Sequence, residues 1–282
     1  TYSNSLVAQV LAMVPASSRS DQAQRRLEDL GRFFADGQLP NGTWTYYPVT
    51  AGQMKSNHHL AGDNSNTQFA VLGLWKLVEA GVDVPEATWR KCERHFLKTQ
   101  GSSGGWGYWS PLAMAVGPKD TRIATGTTKT MTMTGLASMY LFADQLHGPS
   151  ARDRAQSRCR CDTDERFQVR LDKALERAEM DMAGWFAEKR LHRRAADRRG
   201  LKSGVFHIVD LYYAYSIERV GELSGRKTFG HVDWYAEIAE LLVADQNKDG
   251  SWGVIPRQKT DDLLGKQNSP AWTKRWASCK LI

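Results

Sequence analysis

The apolar positions of this chain fall into two kinds of helical segment, and residues 63–99 hold one of each. Asp63-Asn64-Ser65-Asn66 is a run of residue types that cap helix N-termini. Phe69, Val71, Leu72, Leu74, Trp75, Leu77 and Val78 follow it and are apolar around much of a helical circumference, which predicts a buried helix. Gly81 closes that helix and Pro85 opens the next. There Trp89, Cys92, Phe96 and Leu97 recur at helical spacing among Arg90, Lys91, Glu93, Arg94 and Lys98, the pattern of an outer, half-solvated helix.

The same signals place buried inner helices near 3–14, 64–80, 130–147 and 208–224. Their outer partners fall near 20–37, 86–99, 165–191 and 231–246. Alternating strand-type runs are nearly absent, so the chain reads as all-α.

A repeat organises these hairpins. Gln38/Gly42/Trp44, Gln100/Gly104/Trp106 and Gln246/Gly250/Trp252 share one spacing, with an apolar residue (Phe34, Phe96, Leu242) four before each glutamine. Ser3-Asn4 with Ala8 recurs as Ser65-Asn66 with Ala70, an offset of 62 residues, and Trp44 and Trp106 are separated by the same 62. From Trp106 to Trp252 is 146 residues, room for two units, so an intervening unit carries an insertion and has lost its Gln/Gly/Trp. A fixed period of this kind means stacked supersecondary units.

The expected hairpins lie near 1–62, 63–129, 130–207 and 208–271, with the start of another at 272–282. Buried inner and exposed outer helices close most naturally into an α/α toroid around a central cavity. One large domain spanning 1–282 is expected. Thr1 stands at the cap of an inner helix without an initiator methionine, and Trp272–Ile282 begins a helix and stops. The expectation is therefore a piece of a longer chain, its ring open or incomplete.

The Gln-x3-Gly-x-Trp segments, above all Gln246-Asn247-Lys248-Asp249-Gly250-Ser251-Trp252-Gly253, resemble the repeats of squalene and oxidosqualene cyclases and of protein prenyltransferase β subunits. The nearest likeness is to bacterial squalene-cyclase-like repeat proteins of largely undefined function, through Asp63–Ala70 and Asp210–Val220. The resemblance implies a terpenoid cyclase/prenyltransferase-like toroid. It also implies that Gln38, Gln100 and Gln246 satisfy backbone groups at helix ends while Trp44, Trp106 and Trp252 pack between hairpins. As a ligand it implies an isoprenoid or another apolar small molecule.

The catalytic signatures of those enzymes are missing. There is no D-x-D-D segment, since Asp162-Thr163-Asp164-Glu165 sits in a polar insertion, and there is no D-D-x-x-D. Where a prenyltransferase has a zinc-binding D-x-C, this chain has Ala277-Ser278-Cys279. Cys159-x-Cys161 is only a fragment of a zinc ligand set. No metal and no cofactor is expected.

The 282 residues, 41% of them hydrophobic, are enough for a sizeable core. No apolar run is long enough to cross a membrane, which favours a soluble protein; export with a removed signal peptide stays open. The net charge of +7 comes largely from Arg152, Arg154, Arg158 and Arg160 and from a stripe between Lys189 and Lys202. No nucleic-acid motif accompanies it, so a solvated helix face is expected rather than a nucleic-acid surface.

In a toroid the N-terminal ends of the inner helices meet at one mouth, where their dipoles favour anions. Asp63, Asn64, Asn66, Gln68, Asp210 and Tyr212 are expected to line it. Lys55, His58, His59, Lys119, Arg122 and Lys129 precede or open inner helices and would face a prenyl diphosphate; Trp75, Tyr140, Tyr212, Tyr213 and Tyr215 would wall an isoprenoid. Alternatively, Asp63 and Asp210 begin corresponding inner helices and would share acid and base duties on a sugar, with His58-His59 as a base or metal ligand, although adjacent loop histidines are more often solvated. Aspartate at a helix start is also simply an N-cap. A third reading is a non-catalytic scaffold that binds a partner through its concavity.

Overall fold

The computed structural model of the chain describes residues 1–47, 62–109, 126–147, 165–198, 208–248 and 250–252. Eight α-helices carry these residues: α1 Tyr2–Ala12, α2 Asp21–Asp36, α3 Asn64–Glu79, α4 Glu86–Thr99, α5 Lys129–Phe142, α6 Glu165–Asp197, α7 Ile208–Ser224 and α8 Trp234–Asp245. The helical content and the near absence of strand agree with the all-α expectation. The start of a fifth hairpin at 272–282 lies outside the described residues.

Local chemistry explains the helix starts. Ser20, Asp63, Thr128 and Asp233 each accept a hydrogen bond from the backbone N–H three residues on, satisfying a donor that the helix itself leaves unpaired. Pro85 precedes α4, and Gly81 leaves α3 at φ 86°, where a side chain would be strained. The helix expected at 231 begins instead at Trp234, because a two-stranded antiparallel hairpin (β1 Thr228–Phe229, β2 Val232–Asp233) precedes it. After Phe142, α5 closes in one wider π-type turn, Ala143–His147. That turn brings His147 onto the Glu93 carboxylate and stacks it 4.3 Å from the Phe167 ring.

The chain divides into two compact units. One comprises residues 1–182 and 216–226, the other residues 183–215 and 227–282. In the first, α1 packs on α3 and α3 on α5, an inner layer. Nearly all of α3 and α5 is buried, whereas α2 buries one stripe, Leu27, Leu30, Gly31 and Phe34. The inner/outer distinction holds for these helices. It fails for α1, which buries only Ser5 and Ala8. Its other side carries Leu6, Val7, Val10 and Met13, all exposed, because α3 covers a single face of it.

The repeat motif builds a joint three times over. The indole N–H of Trp44, Trp106 and Trp252 donates to the carbonyl of Phe34 (2.8 Å), Phe96 (2.9 Å) and Leu242 (2.7 Å), the apolar residues that recur four before each glutamine. Nε2 of Gln38, Gln100 and Gln246 donates to the carbonyl of its own turn glycine, Gly42, Gly104 or Gly250. Gln38 also reaches Thr88 O, and Gln100 reaches Arg170 O, each at 2.9 Å in the first turns of the following outer helix. The glutamine thus ties the end of one outer helix to the start of the next.

The turn glycines have φ of 89°, 90° and 82°. A methyl group on Gly104 would stand 2.3 Å from Lys173 O, backbone that cannot swing aside. Gly104→Ala is therefore expected to cost roughly 1–3 kcal/mol, seen as a lower denaturant midpoint. Gly184→Ala serves as the control, because an added methyl there meets nothing on an exposed helix face.

The basic stripe of α6 has partners. Arg190 pairs with Glu237, and Arg193 with Glu240 at 3.0 Å, both on α8. These are surface pairs of small energetic weight, but they explain the charge run as helix-to-helix matching.

Candidate functional site

The densest polar cluster among the mouth residues expected from the sequence surrounds Asp63, at the N-terminus of α3. Asp63 is 1% exposed and its backbone bridges to both Trp44 and Trp109, so the chain segments after two successive repeat tryptophans flank it. Its Oδ1 accepts from Asn66 N at 2.7 Å and its Oδ2 from Asn66 Nδ2 at 2.8 Å. Asn64 is pinned separately. Its Nδ2 donates to Gly107 O at 2.8 Å, which leaves Oδ1 to accept from His95 Nε2 at 2.8 Å on α4. Gln68 Oε1 accepts from Thr134 on α5 at 3.1 Å.

Three tyrosines stand over this carboxyl. The Tyr46 and Tyr108 hydroxyls are 2.5 Å apart, and Tyr108 hydrogen-bonds the Asp63 carboxylate. The Tyr2 ring stacks on Tyr46 at 5.7 Å and lies 4.3 Å from Phe69, while its hydroxyl meets Ser65 Oγ. Tyr2 and Tyr108 are half-buried and Tyr46 is 43% exposed, so the chain of hydroxyls runs from solvent to a buried carboxyl. None of the three was a candidate from the sequence. The legible signal was there: Tyr46 and Tyr108 each follow the repeat tryptophan by two, at the repeat offset.

Burial pushes the Asp63 carboxyl above the usual aspartate range, opposed by the hydrogen bonds from Asn66, Tyr108 and Ser65. Burial, then the Asp63 charge, raises the Tyr108 phenol. Burial also lowers His95 to about 4, so its imidazole is neutral in the folded protein. An unfolded histidine takes its proton near 6.5, so between pH 6.5 and about 4 the unfolded state binds more protons. Stability falls as pH falls through that window, by at most roughly 3 kcal/mol from this one group. Asp63 works in the opposite sense, its folded form taking a proton at higher pH than the unfolded one. Comparing denaturant unfolding of the wild type with His95→Gln from pH 7 to pH 4 isolates the histidine: the variant is expected to lose markedly less stability.

Asp210, on α7, belongs to the second unit and has a different setting. Its Oδ2 pairs with Lys189 Nζ at 2.8 Å and its Oδ1 accepts from the Trp185 indole N–H at 2.9 Å. Both members of the ion pair are buried. Tyr213 is fully buried and meets Trp185 edge to face at 5.1 Å, and Tyr212 and Tyr215 are half-buried. Asp63 and Asp210 fall in different units.

The remaining candidates are scattered. Trp75 is half-buried with Lys76 Nζ 3.8 Å over its ring. Tyr140 is half-buried beside Arg226, its phenol raised by burial. Lys129 is half-buried in the first turn of α5. His58, with Lys55, His59, Lys119 and Arg122, lies outside the described residues, as do Cys159, Cys161 and Cys279. Among the described residues no group of three or more histidine, cysteine or carboxylate side chains is placed to hold a metal, and no helix is long and apolar enough to cross a membrane. No family model, curated protein or solved structure matches the chain.

Proposed function

We propose that this chain is a hairpin-repeat protein of the cyclase and prenyltransferase-like kind, its hairpins arranged as an α/α toroid, and that it binds an apolar, isoprenoid-type ligand at the mouth formed by its inner-helix N-termini. The observation that carries this reading is the Asp63 cluster: a buried carboxyl under three partly exposed aromatic hydroxyls, on the first turn of an inner helix. The threefold Gln/Gly/Trp joint supports the repeat architecture.

A scaffold reading is favoured by a separate observation. Asn64, Asn66 and Gln68 all bond to protein groups, Gly107, His95, Asp63 and Thr134, so that much of the expected binding set holds helices together. The carbohydrate reading has less behind it, since Asp210 is committed to Lys189 and Trp185.

Native mass spectrometry of the purified protein, with organic extraction and reloading with polyprenyl alcohols, separates the two leading readings. A retained or reloaded isoprenoid species is expected. A protein that stays empty under reloading belongs to the scaffold reading.

A further inference from the structure

We propose that the Asp63 cluster takes a protonated amine as the head group of its ligand, with the Asp63 carboxylate as counter-ion and Tyr2, Tyr46 and Tyr108 as the aromatic wall. This rests on the ligand-binding reading above and adds the chemistry of the head.

Among the described residues three carboxylates are buried: Asp63, Glu93 and Asp210. Glu93 has His147 and, at 3.7 Å, Arg90; Asp210 has Lys189. Asp63 alone ion-pairs with no lysine, arginine or histidine among those residues, although burying a carboxylate without a cation is costly. Its compensation comes from the α3 dipole and from neutral donors.

The second observation concerns Asn66, which is fully buried. Its Nδ2 is spent on Asp63, and its Oδ1 has no hydrogen-bond donor, an expensive state for a buried acceptor. That side chain lies beside the Tyr46 hydroxyl, within the same cluster. Among the described residues a cation is what this carboxylate lacks.

The charge at the site points the same way. Tyr108 hydrogen-bonds the carboxylate, and its hydroxyl lies 2.5 Å from that of Tyr46. A diphosphate would meet a carboxylate, and is repelled. An alcohol offers one donor. An ammonium offers three donors, no acceptor and the positive charge that no described lysine, arginine or histidine gives Asp63, and the stacked Tyr2 and Tyr46 rings add a π face.

The test is a matched series, farnesylamine, farnesol and farnesyl diphosphate, titrated calorimetrically at pH 7 into the whole chain. The amine is expected to bind about tenfold tighter than the alcohol, and the diphosphate weakest. Asp63→Asn keeps a good helix cap and should bring the amine down to the level of the alcohol. Tyr108→Phe leaves that cap untouched, cuts the hydroxyl chain and should weaken the amine severalfold. A diphosphate that matches the amine, or an amine preference that survives Asp63→Asn, overturns the proposal. Equal binding of amine and alcohol overturns this inference while sparing the apolar-ligand reading; no binding by any of the three removes both.

Discussion

Trp106→Ala is expected to cost about 3–5 kcal/mol, the range for deleting a large buried aromatic side chain. The indole is 1% exposed and fills the joint between consecutive hairpins. Its N–H holds Phe96 O, its ring meets Phe96 edge to face at 5.8 Å, and it lies against the bare backbone of Gly135, where even a methyl group would come within 2.2 Å of the ring. Alanine leaves a cavity, takes one of two donors from the Phe96 carbonyl, which Gln100 N also reaches, and weakens the packing of α4 on α5, where the Phe96–Phe142 ring contact stays. The loss should appear as faster amide hydrogen exchange across α4 and α5 together. Trp252→Ala, at a half-buried copy of the same joint, should cost clearly less. Equal costs would mean that the indole acts through something other than burial.

The second large effect concerns Asp210. Removing this carboxylate takes from the buried Lys189 ammonium its 2.8 Å ion pair and from the Trp185 indole N–H its 2.9 Å acceptor. Asp210→Ala is expected to cost about 3–5 kcal/mol, most of it the penalty of a buried charge that has lost its ion pair. The double variant Lys189→Met/Asp210→Leu removes both charges and should recover most of that loss. A double variant as unstable as the single one would show that the pair is needed for its shape and not only for its neutrality. Denaturant unfolding followed by tryptophan fluorescence reads both.

Much of this fold was legible because helices advertise themselves locally. The cap at Asp63, the break at Gly81 and the periodic apolar runs each lie within a few residues of what they specify, and the helix positions follow from them. The joint was legible for another reason: repetition exposes long-range geometry, so the apolar residue four before each glutamine proves to be the acceptor for the indole. What stayed hidden depends on partners far along the chain. Nothing near Asn64 says that His95 and Gly107 will consume its amide. Nothing near Arg190 or Arg193 announces Glu237 and Glu240. The half-exposed state of α1 depends on how many neighbours it has, which an apolar sequence does not state. The tyrosines over Asp63 are hidden for the same reason: a polar-aromatic residue after a structural tryptophan looks like turn filler until the segments on either side of Asp63 are brought together.

The most direct test of the central claim is photolabelling with a diazirine-bearing isoprenoid, followed by peptide mapping of the labelled protein. Label concentrated within residues 1–10, 44–47, 63–69 and 106–109, and competed away by unlabelled ligand, is the predicted result. Label spread over the exposed outer helices, or indifferent to competitor, would contradict it and leave the repeat as a scaffold.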